Sequence, residues 1–363
     1  MRLAKRLFGA RLAILTVGMF LPIPGAVMLA ADPSPVRLKW GQLPPLPDAE
    51  GFAGMFAGTS SDALAVAGGA NFTGKRPWEG GIKQWYDTVW LLEKPEGPWR
   101  QIGRLPQPTA YGISASTPQG LVCAGGGNAQ KHFADVYRLT LSDGRLQILP
   151  LPSLPQPCSF ACGAVAQGTF YILGGIERPD STACLRTFWA LDLQRPGADW
   201  QVLEPCPGAE RNLGVAGTIG DDFYVFGGQR LSPDPPNRPA REFLRDAWRY
   251  RPGSGWRRLA DMPRPATGAP SPTPQTPDGR LLVMTGDDGT KINFKPETEH
   301  PGFPRDLLAY DPARDAWDVV GEAPFSRATL PTTLWRDRVV IPSGEERPGY
   351  RSHDVWTLEF PRR

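Results

Sequence analysis

Short apolar runs recur along the chain, each bounded by Gly, Pro, Asn, Asp or Ser. Six of them share one form, an apolar run closing on a glycine pair or its remnant: ALAVAGG, GLVCAGG, TFYILGG, DFYVFGG, RLLVMTGD and RVVIPSG. A turn signal (SSD, PQG, AQG, GDD, PDG, WRD) precedes each, and a strand of small residues precedes each turn. Runs this short, rich in β-branched and aromatic residues and closed by turn formers, predict strands rather than helices. A third strand follows in every unit: YDTVWLL, ADVYRL, RTFWALDL, RDAWRYR, RDLLAYD and SHDVWTL. The fourth starts on Trp and runs into a proline-rich link, as in WRQIGRLPQP and WRRLADMPRP; LQILPLPSLP fills that place in the second unit without the Trp.

The unit repeats about every 50–60 residues, close to the kelch period. Four short antiparallel strands repeated six times predict an all-β, six-bladed kelch-type β-propeller. Glycine pairs let neighbouring backbones approach closely, and the Trp fills the space between blades. The sixth unit lacks a fourth strand, whereas VRLKWGQLPPLP carries the Trp-strand-Pro pattern ahead of the first unit. Trp40 is therefore expected on the outer strand of the last blade, closing the ring and covering its edge.

Composition supports this reading. With 41 Gly, 41 Pro and 12 Trp in 363 residues, the chain is turn-dense and aromatic rather than disordered. The net charge of +3 is small and unclustered, so neither nucleic acid nor a membrane surface is an expected partner. The start of the chain reads differently: MRLAKRLFGAR is cationic, LAILTVGMFL apolar, and small residues surround Ala30–Ala31. That order predicts a signal peptide over residues 1–31 and a propeller over 32–363, exported, most simply to a periplasm, and free of the membrane after cleavage. Cys123 falls in an apolar strand and reads as a buried thiol, while Cys158, Cys162, Cys184 and Cys206 share one region and are candidates for pairing there. No metal-ligand spacing occurs, and His132, His300 and His353 fall in different units, which argues against a copper site. No metal or cofactor is expected. Nothing in the pattern sets an oligomeric state.

In each unit the start of the first strand and the end of the second share one rim. That reasoning gathers Asn71, Asn128, Glu177, Gln229, Asp287 and Glu345 at one mouth, with Phe52, Tyr111, Phe160, Arg211 and Arg327 at the strand openings. Arginines collected on one rim point to an anionic ligand, which a guanidinium can grip through two parallel hydrogen bonds. The most charged stretch, SGEERPGYRSHDVW, begins at Ser343. A Glu–Arg pair in a loop is as often a fastener, contributing about 0–1 kcal/mol when exposed.

GEERPGYR, together with GGANF at 68–72 and AYGIS at 110–114, resembles the sialic acid mutarotases, also called N-acetylneuraminate epimerases, which are exported bacterial kelch propellers. The resemblance extends over nearly all of 32–363, with the units in rotated order, as in the cyclically permuted branch. A ring tolerates rotation because every blade keeps its neighbours. The resemblance implies a small sugar acid as ligand, no cofactor, Glu345 as acid/base and Arg351 working with it. It also implies Arg211 as a carboxylate contact and places Asn71 in its best-matched stretch, with Tyr111 on the rim. Arg327 departs from the family's small residues there, so its candidacy as a substrate contact rests on rim position alone. Glu346 competes with Glu345 for the inward position. The alternative function is a non-catalytic propeller that binds a glycan or a protein through its long inserts.

Overall fold

The computed structural model describes residues 38–142, 144–233 and 239–360; the expected signal segment lies outside the described residues. Six antiparallel sheets make six blades, in the order the repeats predict. Blade 1 holds Phe56–Ser60, Ala63–Ala67, Thr88–Leu92 and Arg100–Arg104, and blade 2 holds Ile113–Thr117, Gly120–Ala124, Val136–Ser142 and Arg145–Leu151. Blade 3 (Cys162–Ala166, Thr169–Leu173, Phe188–Asp192, Gln201–Val202) and blade 4 (Val215–Ile219, Asp222–Phe226, Ala247–Arg251, Gly255–Leu259) follow the same plan.

Blade 6 joins Thr333–Trp335, Arg338–Pro342 and Val355–Glu359 to Lys39–Leu43, the strand from the other end of the chain. Trp40 lies opposite Leu358 and meets Phe325 edge-on at 5.3 Å. The ring is closed as the orphan Trp strand predicted.

Blade 5 departs from the four-strand expectation. Only Leu281–Met284, Asp306–Asp311 and Ala316–Glu322 form regular strands among the described residues. The inner position is occupied by the PSPTPQTP stretch, whose prolines have no N–H to give to a ladder. Contacts there are piecemeal instead: Leu282 N–H donates to the Pro274 carbonyl at 3.0 Å, and the Thr273 hydroxyl donates to the Leu282 carbonyl.

Apolar residues pack between blades rather than around one centre. Phe56, Leu91, Leu121 and Leu139 join blades 1 and 2, while Phe188, Phe223 and Val225 join blades 3 and 4. Outer-strand tryptophans fasten the same junctions. Trp99, Trp200, Trp256 and Trp317 each donate the indole N–H, at 2.8–2.9 Å, to a carbonyl of the preceding proline link: Pro44, Pro152, Glu204 and Ala260. Each ring thus buries its apolar body and satisfies its one donor across a blade boundary.

One residue per blade forms the innermost circle. Gly54, Tyr111, Phe160, Leu213, Gly268 and Thr329 all have φ between 52° and 66°. Each N–H donates to the carbonyl of the equivalent residue one blade back, and Gly54 N–H closes the circle on Thr329, with all six contacts between 2.5 and 2.8 Å. The remnant glycine pairs add to the fastening. Thr285 and Ser343 stand where the first glycine would be; the Thr285 hydroxyl donates to the Arg327 carbonyl at 2.6 Å, and Ser343 Oγ accepts from Phe52 N–H at 2.7 Å. The exchange at Ser343, which looks neutral in sequence, ties blade 6 to blade 1.

Three inserts leave the mouth as two-stranded ribbons: Ala70–Phe72 with Lys83–Trp85, Gln229–Ser232 with Ala240–Phe243, and Glu345–Arg347 with Tyr350–Arg351. The circle beneath them makes a sharp stability prediction. A Cβ on Gly54 would lie 2.3 Å from Tyr111 Cδ1, whereas one on Gly268 would meet nothing nearer than 3.3 Å. Both positions have positive φ, so Gly54→Ala is expected to cost about 2 kcal/mol or more and Gly268→Ala about 1. Denaturant midpoints of the two variants check the order.

Candidate active site

The mouth bearing the ribbons holds a cavity of about 480 Å³, within the range of small-molecule sites. Its floor is the hydrogen-bonded circle, where Tyr111 and Phe160 stack at 4.4 Å and 19° beside Leu213 and Thr329. Its walls come from the neighbouring positions of the same strands, including Asn212, Thr267, Gln229, Asp287 and Glu345, and from ribbon residues Phe72, Lys83, Arg241, Pro348, Gly349 and Arg351.

Glu345 begins its ribbon where the chain leaves blade 6, and its backbone bridges Ala328. The ribbon turns back through Pro348 and Gly349, so Arg351 lies opposite Glu345 in register. Arg351 Nη1 donates to Glu345 Oε1 at 2.8 Å and Gly349 N–H donates to the same oxygen at 2.9 Å. Oε2 has no hydrogen-bond partner among the described residues. The Arg351 side chain is almost wholly buried, with its guanidinium 5.1 Å from the Phe72 ring centroid. Burial opposes its charge, but Glu345 and then Tyr111 outweigh that, and its pKa rises above the ordinary arginine value. Glu346, one residue on, does not line the cavity; its carboxylate lies 3.7 Å from Arg327 Nη1. Alternation along the strand selects Glu345.

Asp287 occupies in blade 5 the position that Glu345 holds in blade 6, bridging Thr267 as Glu345 bridges Ala328. Burial pushes its carboxyl pKa up, and the charges of Asp288 and Glu345 push the same way, against the Gly289 N–H and Arg241.

Tyr111, Glu345 and Arg351 are thus brought together. Three other expected substrate contacts, Arg211, Arg327 and Asn71, are placed elsewhere. Arg211 is buried between blades, donating to both Asp246 oxygens at 2.9 and 2.7 Å and to the Gly227 carbonyl at 2.9 Å. Arg327 is equally buried, donating to the Ser343 and Ser326 carbonyls and to Asp354. Asn71 is fully buried; its amide donates to Gly51 O and Asp48 Oδ1, and its oxygen accepts from the Tyr86 hydroxyl at 2.9 Å.

The cause is register. Tyr111 and Phe160 belong to the innermost circle, but Phe52, Arg211 and Arg327 lie two residues before its members Gly54, Leu213 and Thr329. After the glycine pairs, Gln229, Asp287 and Glu345 are first residues, whereas Asn71, Asn128 and Glu177 are second ones. The true equivalents of Glu345 in blades 1 to 3 are Ala70, Gly127 and Ile176, the residues that make the matching bridges. A one-residue slip exchanges the faces of a strand. Asn128 caps a turn through Gln130 and Lys131, and Glu177 is exposed beside Arg178.

The cysteines that were candidates for pairing are not paired. All five are free thiols, with Cys123, Cys158, Cys162 and Cys206 buried. Burial raises their pKa values, to about 12 for Cys162 and about 11 for Cys184 and Cys206. Among the described residues no His, Cys, Asp and Glu cluster is arranged to hold a metal ion.

Comparison with known proteins adds to this geometry. A family model for N-acetylneuraminate epimerase matches residues 32–148. The N-acetylneuraminate epimerase of Haemophilus influenzae (strain PittEE) is 29% identical over 235 residues, which cover 58% of this chain and 59% of that one. That of Salmonella enteritidis PT4 (strain P125109) is 40% identical over 124 residues, 31% of this chain and 32% of its own. The chain therefore spans only 59% or less of the length of these relatives. A solved structure titled "Structure of YjhT" superposes with a TM-score of 0.64 over 86% of this chain and 95% of that one, at 16% identity, and shows the fold alone.

Two predictions follow from these placements. Arg211→Met is expected to lower stability by about 3 kcal/mol, the low end for a broken buried pair because Asp246 keeps some contact with water. It should leave the ligand affinity of the remaining folded protein unchanged, which denaturation and titration together would check. For Asp287, a raised pKa means the fold favours the protonated carboxyl. The stabilisation is complete below the ordinary value of 3.8 and is lost as pH rises through the folded value. Asp287→Asn should therefore raise Tm at neutral pH and lose that advantage below the ordinary value, as read from melting curves across pH.

Proposed function

We propose that this protein is an exported, periplasmic mutarotase that interconverts the α and β anomers of N-acetylneuraminate or a related 2-keto sugar acid. The observation that carries the reading is the Glu345–Arg351 pair at the wall of a ligand-sized cavity, in the stretch that resembles the epimerases. Similarity to proteins named N-acetylneuraminate epimerase supports it. Matching sequence in partial stretches while a solved propeller superposes over most of both chains is what a rotated blade order would produce.

Such a sugar acid closes into a six-membered hemiketal at C2. Glu345 Oε2 takes the proton of the anomeric hydroxyl; the electron pair of that O–H bond forms the C2 carbonyl, and the bond from C2 to the ring oxygen breaks. The departing ring oxygen takes a proton, which the protonated Glu345 can return to it. Rotation about the bond from C2 to C3 presents the other face of the ketone, and the same steps in reverse reclose the ring. One carboxyl thus serves both directions, an effect worth about 10²–10⁴-fold. Arg351 and the Gly349 N–H hold Oε1, so the carboxylate is aimed while its second oxygen stays available. Tyr111 and Phe160 offer a stacked platform for the less polar face of the sugar.

The test is proton NMR of freshly released α-N-acetylneuraminate, with wild type and Glu345→Gln compared at a pH where spontaneous mutarotation is slow. Wild type is expected to accelerate formation of the β anomer, and the variant to lose about 10²–10⁴-fold of that rate. No acceleration by wild type would leave the non-catalytic binding propeller. Full acceleration by the variant would keep the enzyme and move the proton transfer to another group.

A further inference from the structure

We propose that the anionic group of the ligand is received by Lys83, with Arg241 as a second cation across the mouth, and that the site selects acids whose carboxylate sits on the anomeric carbon itself. This rests on the mutarotase reading for the reaction, but its binding claim can be tested without it.

An anion anchor must be a cation whose charge is not already neutralised by the protein. Arg211 and Arg327 fail that condition, being held by Asp246 and Asp354 between blades. Arg351 fails it too, because its Nη1 is spent on Glu345. Lys83 and Arg241 line the same cavity, and neither has a carboxylate within 4.0 Å among the described residues. Arg241 lies near enough to Asp287 to favour its charge without pairing with it.

Lys83 is the better placed of the two. It lies opposite Phe72 on the blade 1 ribbon, half-buried, and its ammonium is 5.1 Å from the Tyr111 ring centroid, 5.5 Å from that of Phe72 and 5.7 Å from that of Trp85. Three ring faces hold an ammonium in position by their quadrupoles. Unlike a carboxylate, they leave its charge unneutralised and its N–H donors available. The long, flexible lysine is thus confined before any ligand arrives, which lowers the cost of binding.

The neighbours of Lys83 give the substrate class. Tyr111 touches both Lys83 and Arg351, and Arg351 holds Glu345. Lys83 and the arginine that holds the proton shuttle therefore meet at one aromatic ring. In a 2-keto sugar acid the carboxylate and the reacting hydroxyl share one carbon, so cation and base must sit side by side. A neutral aldose has nothing to offer Lys83, and an acid with its carboxylate at the far end of the chain would carry it away from this corner.

The experiment measures mutarotation of N-acetylneuraminate by NMR and binding of the acid and its neutral methyl ester by calorimetry, for wild type, Lys83→Met, Lys83→Arg and Arg241→Met. Melting curves confirm that each variant is folded. Lys83→Met is expected to weaken acid binding and raise KM about tenfold or more, as loss of a charged hydrogen bond does. Its kcat should fall by much less, and its affinity for the ester should match that of wild type. Lys83→Arg should recover most of the acid affinity, and Arg241→Met should lose about two- to fivefold. Equal weakening for acid and ester, or unchanged acid binding in Lys83→Met, would overturn the proposal. Wild type that binds the acid through Lys83 without accelerating mutarotation would sink the enzyme reading and leave the anchor standing. Acceleration with Lys83-independent binding would do the reverse.

Discussion

The structure depends on a closed circle of six backbone hydrogen bonds, one residue from each blade, each N–H pointing to the carbonyl behind it. Such a circle has no end, so no member can leave without breaking bonds on both sides. It also requires every member to sit at φ near +60°. Gly54 and Gly268 adopt that at little cost, but Tyr111, Phe160, Leu213 and Thr329 pay about 1–3 kcal/mol each in backbone strain. That strain persists because the ring over-determines the conformation. In return, the left-handed backbone places these four side chains at the floor of the cavity, where the stacked Tyr111 and Phe160 form its aromatic base.

From that circle the wall positions that the blades themselves contribute follow by counting. The residue one before each circle member bridges the first residue after the glycine pair of its own blade, which makes those two positions the walls. The residue two before it turns between blades, where its carbonyl accepts from the second glycine of the preceding blade, as Arg211 does for Gly175 and Arg327 for Gly286. Arginine at that position meets the aspartate just before the third strand of its own blade and becomes a fastener. Cationic side chains therefore have opposite uses at the turns and on the ribbons. Arg211 and Arg327 fasten their own blades, while Lys83 and Arg241, carried in on ribbons, line the cavity.

Much of this was legible in the sequence because it repeats. Six apolar runs closing on glycine fixed the number of blades, and the stray Trp40 strand fixed the closure, since each signal is made of several residues in a set order. Glu345 and Arg351 were legible for a different reason, the resemblance of GEERPGYR to the mutarotases, and the ribbon with its Pro-Gly turn then brings them face to face. What failed was single-residue register. Nothing in GGANF tells the reader that Ala70 rather than Asn71 faces the mouth; the bridge to Ala53 decides it. The proline-rich inner edge of blade 5 was visible as composition but was assigned by analogy with its neighbours, against the rule that proline cannot donate. Lys83 and Arg241 carried no signal, because inserts have no counterpart in other blades to be compared with.

Two carboxyls face one cavity from equivalent places in adjacent blades, and their surroundings differ. Glu345 has a buried guanidinium and a backbone N–H on one oxygen. Asp287 has burial and the neighbouring charges of Asp288 and Glu345 against it, with only the Gly289 N–H and Arg241 in its favour. The difference comes from the ribbons: Arg351 returns on the blade 6 ribbon to face Glu345, while the blade 5 insert brings no arginine back to Asp287. A ring that repeats its blades thus gives two equivalent wall positions different surroundings by varying only what the inserts carry.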